Sequence, residues 1–319
     1  MQRYSKEYEN VKYFNVLERE KAKSPKKNAL HQAIRIASGD IILLTDADCI
    51  PTSNWVNSHV AIYERKPDTE MVVGFSKIRV GDLRGLPMYN RFEYVDFLIL
   101  MFAAQGAIQS GNPFSCSGQN LSYKRGSFYD VGGFNYIDHL ISGDDVLLMQ
   151  KFVRYKKEIR FAAFSNAFTE TMPITSWKAL LNQRSRWASN LKIMYKLNTK
   201  FFLYLTSCFL FMGLFPILPL LVLLISLLSP SFYAEQAHIF LSILFAFAIL
   251  IFLRWIFDVR FINYALENWG LSDKLKYINR KNRQQTYISE WLFISPFYII
   301  LVTFMGLFSM FIWKNRKEI

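Results

Sequence analysis

The sequence predicts an α/β domain over residues 1–200, followed by a transmembrane helical region over residues 201–319. Three observations carry this. Short apolar runs alternate with segments of helical period before residue 200, the pattern of a layered α/β domain. Long uncharged apolar stretches follow, at Phe201–Leu228, at Ala237–Leu253 up to Arg254, and at Trp291–Trp313. Finally, Asp46-Ala47-Asp48 closes the apolar run Ile41–Leu44, and open α/β sheets bind ligands at the carboxyl ends of their strands.

The elements follow in order. Asn10–Leu17 reads as a short strand, and a basic loop runs on to Lys27. Ala29–Ala37 has helical spacing, with Leu30, Ile34 and Ala37 on one side, until Ser38-Gly39-Asp40 breaks it. Ile41–Leu44 is a continuous apolar run bounded by turn residues, as expected of a central strand. Trp55–Arg65 reads as a helix and Glu70–Val80 as a strand. Leu86–Gln109 is mostly apolar but holds Arg91, Glu93 and Asp96, so it is expected to be an amphipathic helix near the membrane and not a span. Pro113–Tyr123 reads as a strand and loop lining a site, and Gly132-Gly133-Phe134 as a turn. Val146–Tyr155 reads as a helix, Arg160–Ala167 as a strand and Ser176–Tyr195 as a helix.

A helix needs about 20 apolar residues to cross a bilayer. Three spans are therefore expected, at 201–228, 237–257 and 290–313. Buried helices of a soluble protein are usually shorter and amphipathic. The loop Asp258–Glu290 carries Arg260, Lys274, Lys276, Arg280, Lys281 and Arg283, whereas Ser229–Gln236 carries no Lys or Arg. The positive-inside rule places the longer loop, and with it the N-terminal domain, in the cytoplasm. The expectation is an integral protein of the plasma (inner) membrane. The basic tail Lys314–Lys317 then falls outside, against the rule, and Pro216 and Pro219 make Phe201–Leu228 the candidate for a re-entrant segment.

The net charge is +13, with 28 Lys+Arg against 19 Asp+Glu before residue 201 and 10 against 6 after it. That excess suits anionic membrane lipids as partners. Nucleic acid is not expected, because the basic residues are scattered and the spans explain the same excess. Cys49, Cys116 and Cys208 lack the spacing of a disulfide framework or a zinc site, and a reducing compartment is expected. Met1–Lys27 has no apolar run, so no secretory signal is expected there.

Three motifs carry chemistry. The carboxylates of Asp46 and Asp48 repel one another and benefit from a hard cation such as Mg2+ or Mn2+, which would meet the two phosphates of a nucleotide-sugar. The plainer alternative is a polar strand end. Gly143-Asp144-Asp145 precedes a helix, whose N-terminus stabilises a carboxylate suited to general-base work, or to simple capping. In Gln183-Arg184-Ser185-Arg186-Trp187, the spacing of Gln183, Arg186 and Trp187 gives them one helix face. An amide, a guanidinium and an indole there suit a diphosphate and a sugar ring, or an interfacial helix with snorkelling arginines.

In this order the motifs resemble the processive-type family 2 glycosyltransferases. That group includes the cellulose, chitin, hyaluronan and poly-N-acetylglucosamine synthases and ceramide glucosyltransferase. Lys27-Asn28-Ala29-Leu30, Ser117-Gly118-Gln119-Asn120 and Val131-Gly132-Gly133-Phe134 add support, and the resemblance covers about residues 20–200. It implies a GT-A fold. It also implies that Asp46 helps hold the nucleotide, Asp48 the metal, and that Asp145 is the base. Gln183 and Arg186 would hold the diphosphate, Trp187 would shape the acceptor site, and Lys27 would lie near the nucleotide. The implied reaction is inverting transfer from a UDP-linked sugar to a glycan or lipid acceptor.

Two departures stand out. Met1 falls just before what matches the third family strand, so the GT-A domain is expected to lack its first strands, including the one ending in Asp-Asp. The third motif reads Gly-Asp-Asp where the better-known synthases have Thr-Glu-Asp. A truncated, catalytically inactive membrane protein is the alternative reading; a transporter is disfavoured, because three spans are few for a carrier built from repeats.

Overall fold

The computed structural model describes residues 2–16, 24–81, 83–163, 165–228, 230–269 and 283–312. It begins with a short exposed helix, α1 (Gln2–Glu7). The strand expected over Asn10–Leu17 does not form. Residues 11–16 have no regular structure, and Leu17 lies outside the described residues. A lone strand leaves its backbone N–H and C=O groups without partners, so pattern alone cannot make one.

The domain then runs α2 (Pro25–Ile36), β1 (Ile41–Leu44), β2 (Cys49–Pro51), α3 (Trp55–Arg65), β3 (Thr69–Gly74), β4 (Ser76–Ile78), α4 (Met88–Gln109), β5 (Leu121–Lys124), α5 (Arg125–Asp130), α6 (Val146–Arg154), β6 (Glu158–Ala162), β7 (Thr169–Thr171), α7 (Trp177–Ala188) and α8 (Leu191–Leu197). Two mixed sheets result. One has the order β1-β5-β3-β6 and the other β2-β7-β4. β5 lies antiparallel to β1 and β3, whereas β3 and β6 are parallel. β1 is therefore an edge strand among the described residues, not the central strand its apolar run predicts, and only Ile42 of its four residues is fully buried.

The single strand expected over Glu70–Val80 divides at Phe75, sending β3 to one sheet and β4 to the other. The strand expected over Arg160–Ala167 likewise ends at Ala162, before a turn at Ser165–Ala167. A buried side-chain network explains the first break. Asn120 Nδ2 donates to the carbonyls of Phe75 (2.9 Å) and Ala167 (2.6 Å). Its Oδ1 accepts from Trp55 Nε1 (2.9 Å) and meets His59 Nε2 at 2.8 Å. His59 Nδ1 meets Ser122 Oγ at 2.8 Å, and Ser122 Oγ meets the Tyr63 hydroxyl at 3.0 Å. A Cβ on Gly74 would fall 2.2 Å from Asn120 Oδ1, so only glycine lets this amide reach the junction. The bonds are mutually consistent when His59 is neutral, with Nε2 carrying the proton.

Burial pushes His59 down to about 4. The folded protein thus refuses a proton that the unfolded chain accepts below about pH 6.5. The stabilisation from neutral His59 is complete above pH 6.5 and is lost as pH falls towards 4. The expected loss is about 3 kcal/mol across that window. Unfolding midpoints at pH 7 and 4.5 test this. A His59→Gln variant with the same acid loss as the parent would refute it.

α4, expected to be an amphipathic helix near the membrane, is not amphipathic through its middle but a core helix. Every residue from Phe92 to Leu98 is buried, Glu93 and Asp96 included. It packs against β4, β6, α7 and the C-terminal helix Arg283–Leu307. The helix expected over Ser176–Tyr195 breaks after Ala188 into α7 and α8.

Three helical segments are long and apolar enough to cross a membrane: Thr199–Ile225, Leu241–Tyr264 and Tyr287–Leu307. The first is irregular over Phe209–Ile217, which contains Pro216 and precedes Pro219, and proline lacks the backbone N–H a regular helix needs. The second lies inside one helix that begins at Pro230 and runs to Asn268, so the expected connection Ser229–Gln236 is mostly helical. Lys274, Lys276, Arg280, Lys281, Trp313 and the basic tail lie outside the described residues. Mixed α/β sheets followed by apolar helices of membrane length agree with the predicted fold class.

Candidate functional site

The loops at the carboxyl end of β1 and before α6 meet at the start of α2. Lys26, in the first turn of α2, places its Nζ 2.8 Å from Asp46 Oδ1 and 2.8 Å from Asp144 Oδ2. One ammonium thus joins two carboxylates nearly a hundred residues apart in sequence. Burial opposes the charge on Lys26, but Asp144, Asp46 and Asp145 outweigh it and raise its affinity for a proton.

Asp145 is the cap residue of α6. Its Oδ1 accepts from Val146 N (2.6 Å) and its Oδ2 from Gly118 N (2.8 Å). The capping and site readings of Gly143-Asp144-Asp145 are therefore compatible. Burial raises the pKa of Asp145, the negative charge of Asp144 adds to the rise, and Lys26 opposes it. Gly143 has φ +82°, and a Cβ there would lie 2.4 Å from Leu147 Cγ, so the turn presenting the carboxylates requires glycine. A Cβ on Gly118 would press to 3.3 Å from Asp145 Oδ2.

Arg186 on α7 completes the cluster. Burial lowers its pKa, while the charges of Asp145, Asp144 and Asp46 act to raise it, so the guanidinium lies in the field of all three carboxylates. Gln183 and Trp187 are engaged differently. Gln183 Oε1 accepts from Arg184 Nη1 (2.9 Å), and Trp187 packs on the core around α4, with the Arg184 guanidinium 4.1 Å from its ring centre.

Lys27 is almost fully buried, at 1% exposure, with its Nζ 2.6 Å from the carbonyls of Leu140 and Ser142. It braces the loop that ends in Asp144-Asp145, and its neighbour Lys26 is the lysine among the carboxylates. Asp48 sits on the exposed turn between β1 and β2, with Oδ1 3.8 Å from Cys49 Sγ. No group of three His, Cys, Asp or Glu side chains able to hold a metal ion occurs among the described residues.

Sequence reasoning missed Lys26, Arg184 and the amide of Gly118. Only their motif neighbourhoods were visible: Lys26 beside Lys27, Arg184 inside the Gln183–Trp187 run, and Gly118 in Ser117–Asn120.

No curated protein sequence matches the chain. Among solved structures it is similar to the mannosyltransferase PcManGT from Pyrobaculum calidifontis in complex with GDP-Man and Mn2+. The identity is 14% and the TM-score 0.45, over 96% of this chain and 72% of that one. The family model described as glycosyl transferase family group 2 matches residues 41–257, which take in β1, the three motifs, the first apolar helix and most of the second apolar segment. That match spans most of the chain, and the protein therefore belongs to the group 2 family of glycosyl transferases.

Proposed function

We propose that the protein transfers a sugar, with inversion, from a UDP-linked donor to a glycan or lipid acceptor, using a GT-A-type site on the cytoplasmic side of a plasma membrane. The observation that carries this reading is the shared Lys26 ammonium, which gathers Asp46 and Asp144 beside Asp145. In the proposed step, the acceptor hydroxyl oxygen bonds to the anomeric carbon as the bond from that carbon to the diphosphate oxygen breaks. The bonding pair leaves with the diphosphate, and the hydroxyl proton passes to Asp145. Two backbone N–H groups orient this carboxylate, and burial with the Asp144 charge raises its basicity. Arg186 supplies a fixed positive group for the departing diphosphate.

The donor set also fits a hard cation. Asp48, which is exposed, would hold Mg2+ or Mn2+, with Asp46 two residues before it as the second carboxylate. When bound, the ion would neutralise charge on the leaving group. The full chain in lipid nanodiscs, supplied with labelled UDP-sugars, Mn2+ and lipid or oligosaccharide acceptors, is expected to release UDP and label the acceptor. Absence of transfer with every donor would overturn the reading.

Lys26 opposes the rise that burial and the Asp144 charge give the Asp145 pKa. Its positive charge holds Asp145 down, and the base is active only when ionised. Lys26→Met is therefore expected to move the acid limb of kcat/KM to higher pH, while Lys26→Arg keeps it in place. Lys27→Met is expected to lower stability and leave the limb unmoved. A Lys26→Met profile that superimposes on the parent's would remove Lys26 from this role.

A further inference from the structure

α7 carries Gln183, Arg186 and Trp187, and it is fastened along its length to the apolar C-terminal helix and the residues that follow it. Asn182 grips the backbone of Ile312 from both sides, donating to its carbonyl (2.5 Å) and accepting from its N–H (2.7 Å). Gly306 lies so close that a Cβ would fall 2.8 Å from the Ser185 carbonyl oxygen and 2.8 Å from Ala188 Cβ. Between these points lies a buried charge. Arg184 Nε donates to Asp96 Oδ2 of α4 at 3.1 Å, and both side chains are nearly sealed from solvent. Asp96 also faces Trp291 Nε1 and the Tyr298 hydroxyl of the C-terminal helix, each at 3.4 Å. Arg91 donates twice to Glu290, at 2.9 and 3.0 Å, which keys α4 to the same helix.

The Arg184 guanidinium touches two of the three motif side chains. It donates to Gln183 and stacks over Trp187. It is poorly arranged for stability alone, because its buried Nη2 makes no hydrogen bond among the described residues. Apolar side chains often replace a buried ion pair without loss of stability. What the planar fork supplies is direction.

We propose that Arg184 is a positioning residue: through Asp96, Trp291 and Tyr298, the C-terminal helix sets the register of α7 and so places Gln183 and Arg186 for the diphosphate. The diphosphate role rests on the function proposed above, whereas the register itself does not. A site held this way depends on the apolar C-terminal helix as well as on the α/β domain.

The test is made on the full chain in nanodiscs with Arg184→Met and Asp96→Leu combined, so that neither member of the pair is left facing a missing partner. Two quantities are read: amide hydrogen exchange over residues 177–188, and the Kd for UDP with Mn2+ by calorimetry. The double variant is expected to unfold at a lower temperature, because Trp291 Nε1 and the Tyr298 hydroxyl lose their acceptor. Below that temperature it is expected to exchange about tenfold faster over α7 while α6 keeps the parent's protection, and to bind UDP about tenfold more weakly, a loss of about 1.4 kcal/mol. A stable double variant with the parent's exchange and Kd would overturn the proposal. If the double variant does not fold, Trp291→Phe with Tyr298→Phe cuts only the contacts from the C-terminal helix. Faster α7 exchange then supports the proposal, and unchanged exchange overturns it. A parent that binds no UDP refutes the proposed function, and the exchange measurement still decides the register.

Discussion

Asp145→Asn is expected to lower sugar transfer by about 10²–10⁴-fold, the range for loss of a positioned general base. The substitution preserves shape, but an amide cannot take up the acceptor's proton at neutral pH. It also disturbs the site, because both carboxylate oxygens accept backbone N–H groups, from Gly118 and Val146. An amide offers one oxygen, so one of those donors loses its bond, at about 1–3 kcal/mol. UDP binding with Mn2+ should stay within a few-fold of the parent, because Lys26, Arg186 and Asp48 are untouched. Turnover measured beside UDP affinity separates the two effects. Transfer within threefold of the parent would end the base assignment.

Asn120→Ala is expected to be the most damaging substitution for the fold. It leaves the Ala167 carbonyl, Trp55 Nε1 and His59 Nε2 without their partner in a buried environment, and leaves the Phe75 carbonyl with the Thr169 N–H alone. Each buried polar group left unpaired costs about 1–3 kcal/mol, so three of them give an expected loss of about 3–9 kcal/mol. That approaches the whole stability of an ordinary domain. Expression with Asn120→Ala should yield aggregated or protease-sensitive protein, while Ser122→Ala, which removes one hydroxyl, should remain folded. An Asn120→Ala protein with the parent's thermal midpoint would show that the amide does not hold the two sheets together.

The motifs were legible because they are local. Asp46-Ala47-Asp48 follows an apolar run, and Gly143-Asp144-Asp145 precedes a helix with a buried face. Both placements hold, since strand ends and helix caps depend on residues within a few positions. The choice between neighbouring side chains was not legible. Lys26 and Lys27 are consecutive on α2, and so differ by about 100° around the helix. The helix rotation that buries Ile34 sends Lys27 into the loop carbonyls and Lys26 to the carboxylates. The same holds on α7, where Arg184 turns to Asp96 and Arg186 to the acidic cluster. Periodicity could give a shared face to Gln183, Arg186 and Trp187, but it could not say what lies opposite.

The long apolar helices were evident from composition, because crossing a bilayer demands length and lack of charge and little else. The sequence by itself thus determined an α/β domain, the segments of membrane length and the three acidic and basic motifs that mark the family. Only the tertiary structure decided that β1 is an edge strand among the described residues, that Glu70–Val80 splits between two sheets, and that α4 is a core helix with buried Glu93 and Asp96. It alone decided which lysine and which arginine face the carboxylates. The reason is physical. Strand and helix periods are set by neighbours along the chain, whereas a side chain's charge partner is set by which distant backbone it meets. In this protein Asn120 ties the segments at Phe75 and Ala167 together, and Gly306 lets the C-terminal helix press against α7.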